Sequence, residues 1–223
     1  MKRIPEPVEL MDEKAQAKVY AEADFREPNQ LFLNRLLALM GDRAPNHALD
    51  LGCGPADITL HVARHWHDCR VDGLDGAEAM LAHGRRLLQR HPATEARVNL
   101  ICDTLPSALL PQRAYDLIFS NSLLHHLHNP DILWQTIQST AIPGAAIFIM
   151  DLRRPNSPQT VESLVQRYAA NEPQILQRDF RASLCAAFTP DEVQQQLNER
   201  GLTTLSVHNL SDRHLSISGF LPG

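Results

Sequence analysis

No apolar run in the chain approaches the roughly 20 residues that a membrane-spanning helix needs. The N-terminal stretch MKRIPEPVELMDEKAQ lacks the apolar core of a secretory signal. Positive charge is not in excess: 21 Lys and Arg against 26 Asp and Glu give a formal net charge of −5. That balance offers no general attraction to nucleic-acid phosphates, so no nucleic-acid partner is expected. Cys53, Cys69, Cys102 and Cys185 show no C-x-x-C spacing, so reduced thiols in a cytoplasmic protein are the simplest reading. Internal repeats and low-complexity tracts are absent. What remains, in 223 residues of ordinary globular composition, is one domain with additions.

The organising stretch is ALDLGCGPADITL, residues 48–60. An apolar run carries Asp50 near its end, and Gly52, Cys53, Gly54, Pro55 and Ala56 follow as a tight turn. Ile58, Val62 and Trp66 then recur at i, i+4 and i+8, a helical face. Glycines at a strand–turn–helix junction let the backbone approach a ligand closely, and the helix start presents free N–H groups. A dinucleotide fingerprint, G-x-G-x-x-G, would require a third glycine where Asp57 stands. A pyrophosphate would meet that carboxylate, which argues against NAD.

The string LDLGCGPAD resembles the first motif of class I S-adenosylmethionine (SAM)-dependent methyltransferases, D-x-G-x-G-x-G, with Ala56 in place of the last glycine. Within that family the pattern is most similar to the small-molecule enzymes of the ubiquinone and menaquinone type. The resemblance covers roughly residues 46–218. It implies SAM as cofactor, a small-molecule substrate, and direct displacement of the methyl group onto a nucleophilic O, N, S or C. The alternatives are a protein or RNA target and a SAM-binding protein without catalysis.

Periodicity along the chain alternates β and α, which predicts an α/β fold with an open, mostly parallel sheet covered by helices on both faces. The resemblance specifies seven Rossmann-like strands in the order 3-2-1-4-5-7-6, the last antiparallel. Two helices are expected within residues 8–40, the second with a core stripe of Leu33, Leu36, Leu37 and Met40, Pro28 near its start and Gly41 at its end. Strands are expected at 48–51, 70–74, 97–101, 115–120 and 145–150, with a closing hairpin of 202–207 and 214–218. Thr189-Pro190-Asp191-Glu192 reads as a capping box. Residues 1–45 are expected to form a helical lid, 46–223 the cofactor-binding domain, and 152–188 a helical insertion over the substrate side.

Asp75 lies 23 residues after Gly52 at the end of the second strand, where an acid can accept from both ribose hydroxyls. The resemblance gives it that role, with Gly76 and Met80 beside the adenine. After the third strand come Cys102, Asp103 and Thr104; Asp103 is the family's adenine acceptor or simply a turn-forming acid. Asn121, after the fourth strand, is expected to meet the methionine part of SAM, with Asp50, Gly52, Cys53 and Gly54 on the same cofactor. Tyr20 either covers the cofactor or packs on the domain.

In SNSLLHHLH, His125 and His126 are adjacent, so one at most faces the substrate readily; either is a candidate general base, against a packed, hydrogen-bonded imidazole. His126 and His128 fit metal spacing only on a strand, where the chain should be turning, so no metal is assigned. Holding nucleophile, methyl and sulfur in line is the main task, and a base is dispensable. In the insertion, Arg153, Tyr168 and Arg181 are the candidate substrate contacts, with Arg154 and Arg178 nearby. Together these cations hint at an anionic substrate, set against Glu162, Glu172 and Asp179 among them.

Overall fold

The computed structural model describes residues 1–8 and 10–223. Two N-terminal helices, α1 (Lys14–Glu22) and α2 (Arg26–Met40), precede β1 (His47–Leu51). The alternation continues through α3 (Asp57–His65), β2 (Arg70–Asp75), α4 (Glu78–Gln89), the short α5 (Pro92–Glu95), β3 (Val98–Cys102) and β4 (Tyr115–Asn121). Next come α6 (Asp131–Thr140) and β5 (Ala141–Leu152). Then follow α7 (Pro158–Ala169), α8 (Gln174–Ala186), α9 (Pro190–Glu199), β6 (Leu205–Asn209) and β7 (His214–Phe220).

One sheet orders the strands β3-β2-β1-β4-β5-β7-β6, as expected. The first five are parallel, and β7 runs antiparallel to both β5 and β6. Side chains alternate across such a sheet with a period of two, so adjacent residues belong to different cores. Ala48, Leu117, Phe119, Ala146 and Phe148 face α2 and α3. Leu49, Ile118, Ile147 and Ile149 face α6 and α9, with Trp134 and Leu197 among their neighbours. Burial on both faces explains why β5 reads as a continuous apolar run.

Local chemistry sets the helix ends. Thr189 and Glu192 form the reciprocal capping box, with Glu192 N–H donating to Thr189 Oγ1 and Thr189 N–H to Glu192 Oε2. α6 starts one residue later than a cap at Asn129 would give; Asn129 Oδ1 still accepts from Asp131 N–H. α8 starts at Gln174, directly after Pro173. α3 ends at His65, so Trp66 caps it, with its N–H donating to the Val62 carbonyl and its ring buried against the α2–α3 core.

The two N-terminal helices play different parts. α2 is a layer of the core, its fully buried positions being Phe32, Leu36 and Met40, while Leu33 and Leu37 are partly buried. The expected stripe keeps Leu36 and Met40 buried with Leu33 and Leu37 beside them, and it gains Phe32, whose ring sits edge-on to Phe148, 4.9 Å between centroids. α1 buries only Ala17 and packs on α4 and α8. α7 and α8 share a small core of their own, including Val161, Val165 and Leu184. No helix among the described residues is long and apolar enough to cross a membrane.

Phe32 is the aromatic link between α2 and two central strands. Phe32→Ala should lower stability by about 3–5 kcal/mol in urea unfolding. A loss under about 1 kcal/mol would show that α2 is not a core layer.

Candidate active site

The parallel strands end on one side of the sheet, where an open α/β fold places its ligand crevice. A cavity of about 530 Å³ lies there, walled by the turns after β1, β2, β3 and β4 and by α1 and α8.

The turn after β1 is built from left-handed backbone. Gly52 has φ +72° and Gly54 φ +52°, and a Cβ on Gly52 would sit 2.9 Å from the Leu123 side chain. Glycine is therefore required there for both conformation and space. Ala56 is left-handed too, at φ 64°, so the position where the family motif has its last glycine keeps glycine's conformation while bearing a methyl. That methyl is fully buried and faces Gly84 of α4, where a Cβ would lie 3.0 Å from it. The turn is kept, and the missing hydrogen is made up for by a glycine on the facing helix.

Asp75 ties this turn to the next. Its Oδ2 accepts from Gly54 N–H and its Oδ1 from Ala77 N–H, each at 2.8 Å. Burial pushes its pKa up, against the two N–H bonds that favour the charge. Asp50, 1% exposed, accepts from Thr59 Oγ1 at 2.6 Å. Burial, less the Thr59 bond and aided by the Asp75 charge, moves its pKa up to about 7. Asp103 accepts from Thr104 N–H and Ser107 Oγ, and also lines the cavity. Its turn role is thus present, and the adenine role is sterically open. Tyr20, its ring 4.6 Å from Phe25, lies on the cavity wall, and burial lifts its hydroxyl pKa to about 12. Asn121 Oδ1 is buried beside the cavity with no hydrogen-bond partner among the described residues.

On the other side of Asn121, the loop is fastened to β5 by Asp151, which is 1% exposed. Its carboxylate accepts from Leu124 N–H and Leu152 N–H at 2.7 Å each and holds His125 Nδ1 at 2.6 Å. Burial works against charge on His125, but the Asp151 charge and hydrogen bond outweigh it, so its pKa is raised. The rings of His125 and His126 lie 4.1 Å apart, and both residues line the cavity. His126 Nδ1 stands 3.2 Å from Glu6 Oε2 without hydrogen-bond geometry. Glu6 Oε1 accepts from Ser183 Oγ at 2.7 Å, and the Glu6 carbonyl meets His128 Nε2 at 2.5 Å. Burial opposes ionisation of Glu6, yet His126, Ser183 and His125 hold its pKa below the ordinary value.

Most sequence-predicted residues converge on this cavity: Tyr20, Asp50, Gly52, Cys53, Gly54, Asp75, Gly76, Met80, Asp103, Thr104, Asn121, His125, His126 and Tyr168. Three do not. Cys102, at the end of the edge strand β3, is exposed and off the wall. Arg153 turns to the Ser211 carbonyl, and Arg181 makes a two-pronged pair with Glu162. Arg154 is buried against Glu192 and the Ala187 carbonyl, and Arg178 pairs with Asp179. Each of these cations is engaged within the protein, so the hint of an anionic substrate loses its residues. Among the described residues the wall carries nine carboxylates, Glu6, Asp24, Glu27, Asp50, Asp57, Asp75, Asp103, Glu172 and Asp179, and one guanidinium.

That guanidinium is Arg213. It stacks 3.4 Å from the Tyr168 ring centroid and donates to Glu27 Oε2 at 3.1 Å, while Tyr168 hydroxyl donates to Asp212. Arg213, Glu6 and Asp151 were not marked by any motif. Only the Asp at the end of the β5 run, paralleling Asp75, gave a signal that could have been followed.

Residues 48–144 match the family model described as "Methyltransferase domain". With the strand order and the glycine turn, this identifies a class I methyltransferase domain. The trans-aconitate 2-methyltransferase of Methylobacterium radiotolerans is 31% identical over 138 residues, 62% of this chain and 49% of that one. The corresponding protein of Escherichia coli O157:H7 is 33% identical over 114 residues, 51% of this chain and 42% of that one. The chain thus spans about half the length of these curated relatives. Among solved structures, the plantazolicin methyltransferase BamL, in complex with a triazolic desmethylPZN analogue and SAH, superposes with TM-score 0.74 at 14% identity. That match covers 94% of this chain and 91% of that one. A SAM-dependent methyltransferase from Aquifex aeolicus gives 0.68 at 15%, covering 94% and 98%. At these identities the structures share the fold.

His214, on the cavity wall, has its pKa lowered to about 4 by burial and by the adjoining Arg213. A depressed histidine stabilises the fold fully above its ordinary 6.5, and that contribution is lost as pH falls toward about 4. The His214 share, read as the wild-type minus His214→Gln difference in urea unfolding free energy, should therefore fall across that interval by up to about 3 kcal/mol. Asp50, with its pKa raised to about 7, changes stability in the opposite sense over the same range and cancels in that difference; a difference constant with pH would overturn the His214 assignment.

Proposed function

We propose that the chain is a SAM-dependent methyltransferase acting on a small molecule. The observation that carries this is the convergence of the Gly52–Gly54 turn, Asp75 and the unpartnered Asn121 Oδ1 on one cavity. The cofactor's fit is supported by chemistry at each end. Asp75 retains lone pairs beyond its two N–H bonds and is available to the ribose hydroxyls. Asn121 Oδ1 is a buried acceptor awaiting a donor, which the ammonium of the methionine part provides. Gly52 leaves its backbone bare on the cavity side, and Asp103 and Met80 stand on the wall for the adenine.

When bound, SAM supplies an electrophilic methyl group on a sulfonium. The residues of the chain bind, orient and exclude water. α1 with Tyr20 covers one side of the cavity, and α7 and α8 the other, as lid and cap. Tyr168, Phe180 and Leu176 line the substrate side. The imidazole pair sits beside the place where a nucleophile loses its proton, with Asp151 fixing the His125 ring. Alignment is the principal contribution, as near-attack geometry alone accounts for much of a displacement barrier. The reading sets the protein in the cytoplasm, with soluble small molecules as partners.

Isotope-labelled SAM in a cell extract is the direct test. Label should enter the small-molecule pool and disappear with Asp75→Ala, whose affinity for SAM should fall at least about tenfold through loss of charge-assisted hydrogen bonds. Label in protein or RNA would overturn the small-molecule assignment. SAM affinity unchanged in Asp75→Ala would overturn the assignment of the cofactor site.

A further inference from the structure

We propose that Glu6, His125 and His126 form a binding site for a zinc-type divalent cation on the substrate side of the cavity, with its open position directed to an oxygen donor. One ring nitrogen of each histidine and a carboxylate oxygen of Glu6 lie within 4.8 Å of one another. Two nitrogens and one oxygen are a ligand set that zinc accepts, and three protein ligands with one open position mark its reactive sites.

One pair of ligand atoms already stands at the separation that the ion requires. Ligands at 2.0–2.1 Å from a tetrahedral centre are about 3.3 Å apart, and His126 Nδ1 stands 3.2 Å from Glu6 Oε2. That nitrogen is buried and, among the described residues, makes no hydrogen bond, although a carboxylate is beside it. A cation between the two would satisfy both. His125 has the arrangement that orients a ligating imidazole: Asp151 takes Nδ1 at 2.6 Å, which leaves the lone pair on Nε2. Ser183 in turn holds Glu6 Oε1. Arg3 is near, but its guanidinium is taken up by the His125, Leu127 and Ala186 carbonyls and the Phe188 ring.

The ligands come from two segments distant in sequence, which hides them from motif reading. All three residues line the cavity, so a bound ion is reachable from it. An ion there would polarise a hydroxyl, enol or carboxylate oxygen and lower the pKa of its proton. This last point rests on the methyltransferase reading; the site itself does not.

The test is titration of the metal-free full chain with zinc chloride against a chromogenic chelator, repeated with cobalt(II) for its visible absorption. One ion per chain is expected, with a tetrahedral cobalt spectrum. Glu6→Gln and His126→Ala should each weaken uptake at least tenfold. Asp151→Asn, a positioning change, should weaken it 10–100-fold without altering the stoichiometry. Circular dichroism monitors folding, and Glu6→Gln, on an N-terminal segment outside the sheet, tests the site should the loop variants unfold. No uptake at micromolar zinc, or uptake undiminished in Glu6→Gln, would overturn the site. Calorimetry with SAH on the same samples separates the two readings. SAH binding without zinc uptake overturns the site alone. Zinc uptake without SAH binding supports the site and overturns the methyltransferase reading.

Discussion

Strands that end at a crevice leave backbone N–H groups that the ladder no longer satisfies, and in this protein two carboxylates take them up. Asp75 receives Gly54 and Ala77; Asp151 receives Leu124 and Leu152. A buried donor without a partner costs on the order of 1–3 kcal/mol, so each carboxylate holds its loops in one arrangement. The glycine turn, the start of α4, the His125 loop and the end of β5 all take their positions from these two side chains. The cavity is the space left between them.

The left-handed turn after β1 shows how a departure from a motif can be absorbed. Ala56 adopts the conformation that a glycine would take freely, and its methyl fits only because Gly84 faces it. The strain belongs to one element and the room to another. Residues 56 and 84 are therefore coupled through contact, not through sequence proximity.

Sheet order came only through the family resemblance that the glycine motif carries, whereas the capping box at Thr189 and the turn at Gly52 were legible because each depends on local chemistry or on a short motif. Alternation across β1, β4 and β5 was legible for the same reason, since a period of two needs only neighbours. Phe32 was missing from the α2 stripe because Phe148, the ring it packs against, lies 116 positions later. The arginines of the insertion were misplaced for a related reason. Composition marks a cation, but whether Glu162 or Glu192 engages it is fixed only by how α7, α8 and α9 pack. Glu6 lies 119 residues before His125, and no local pattern links the two.

Among the described residues nine carboxylates and one guanidinium line the cavity, yet Asp24, Glu27 and Asp179 are already paired with Arg26, Arg213 and Arg178, and burial moves the pKa of Asp50 up to about 7. The charge an entrant meets is therefore that of the few carboxylates left without an arginine. Its reach is a Debye length, about 8 Å at physiological ionic strength, and added salt shortens it.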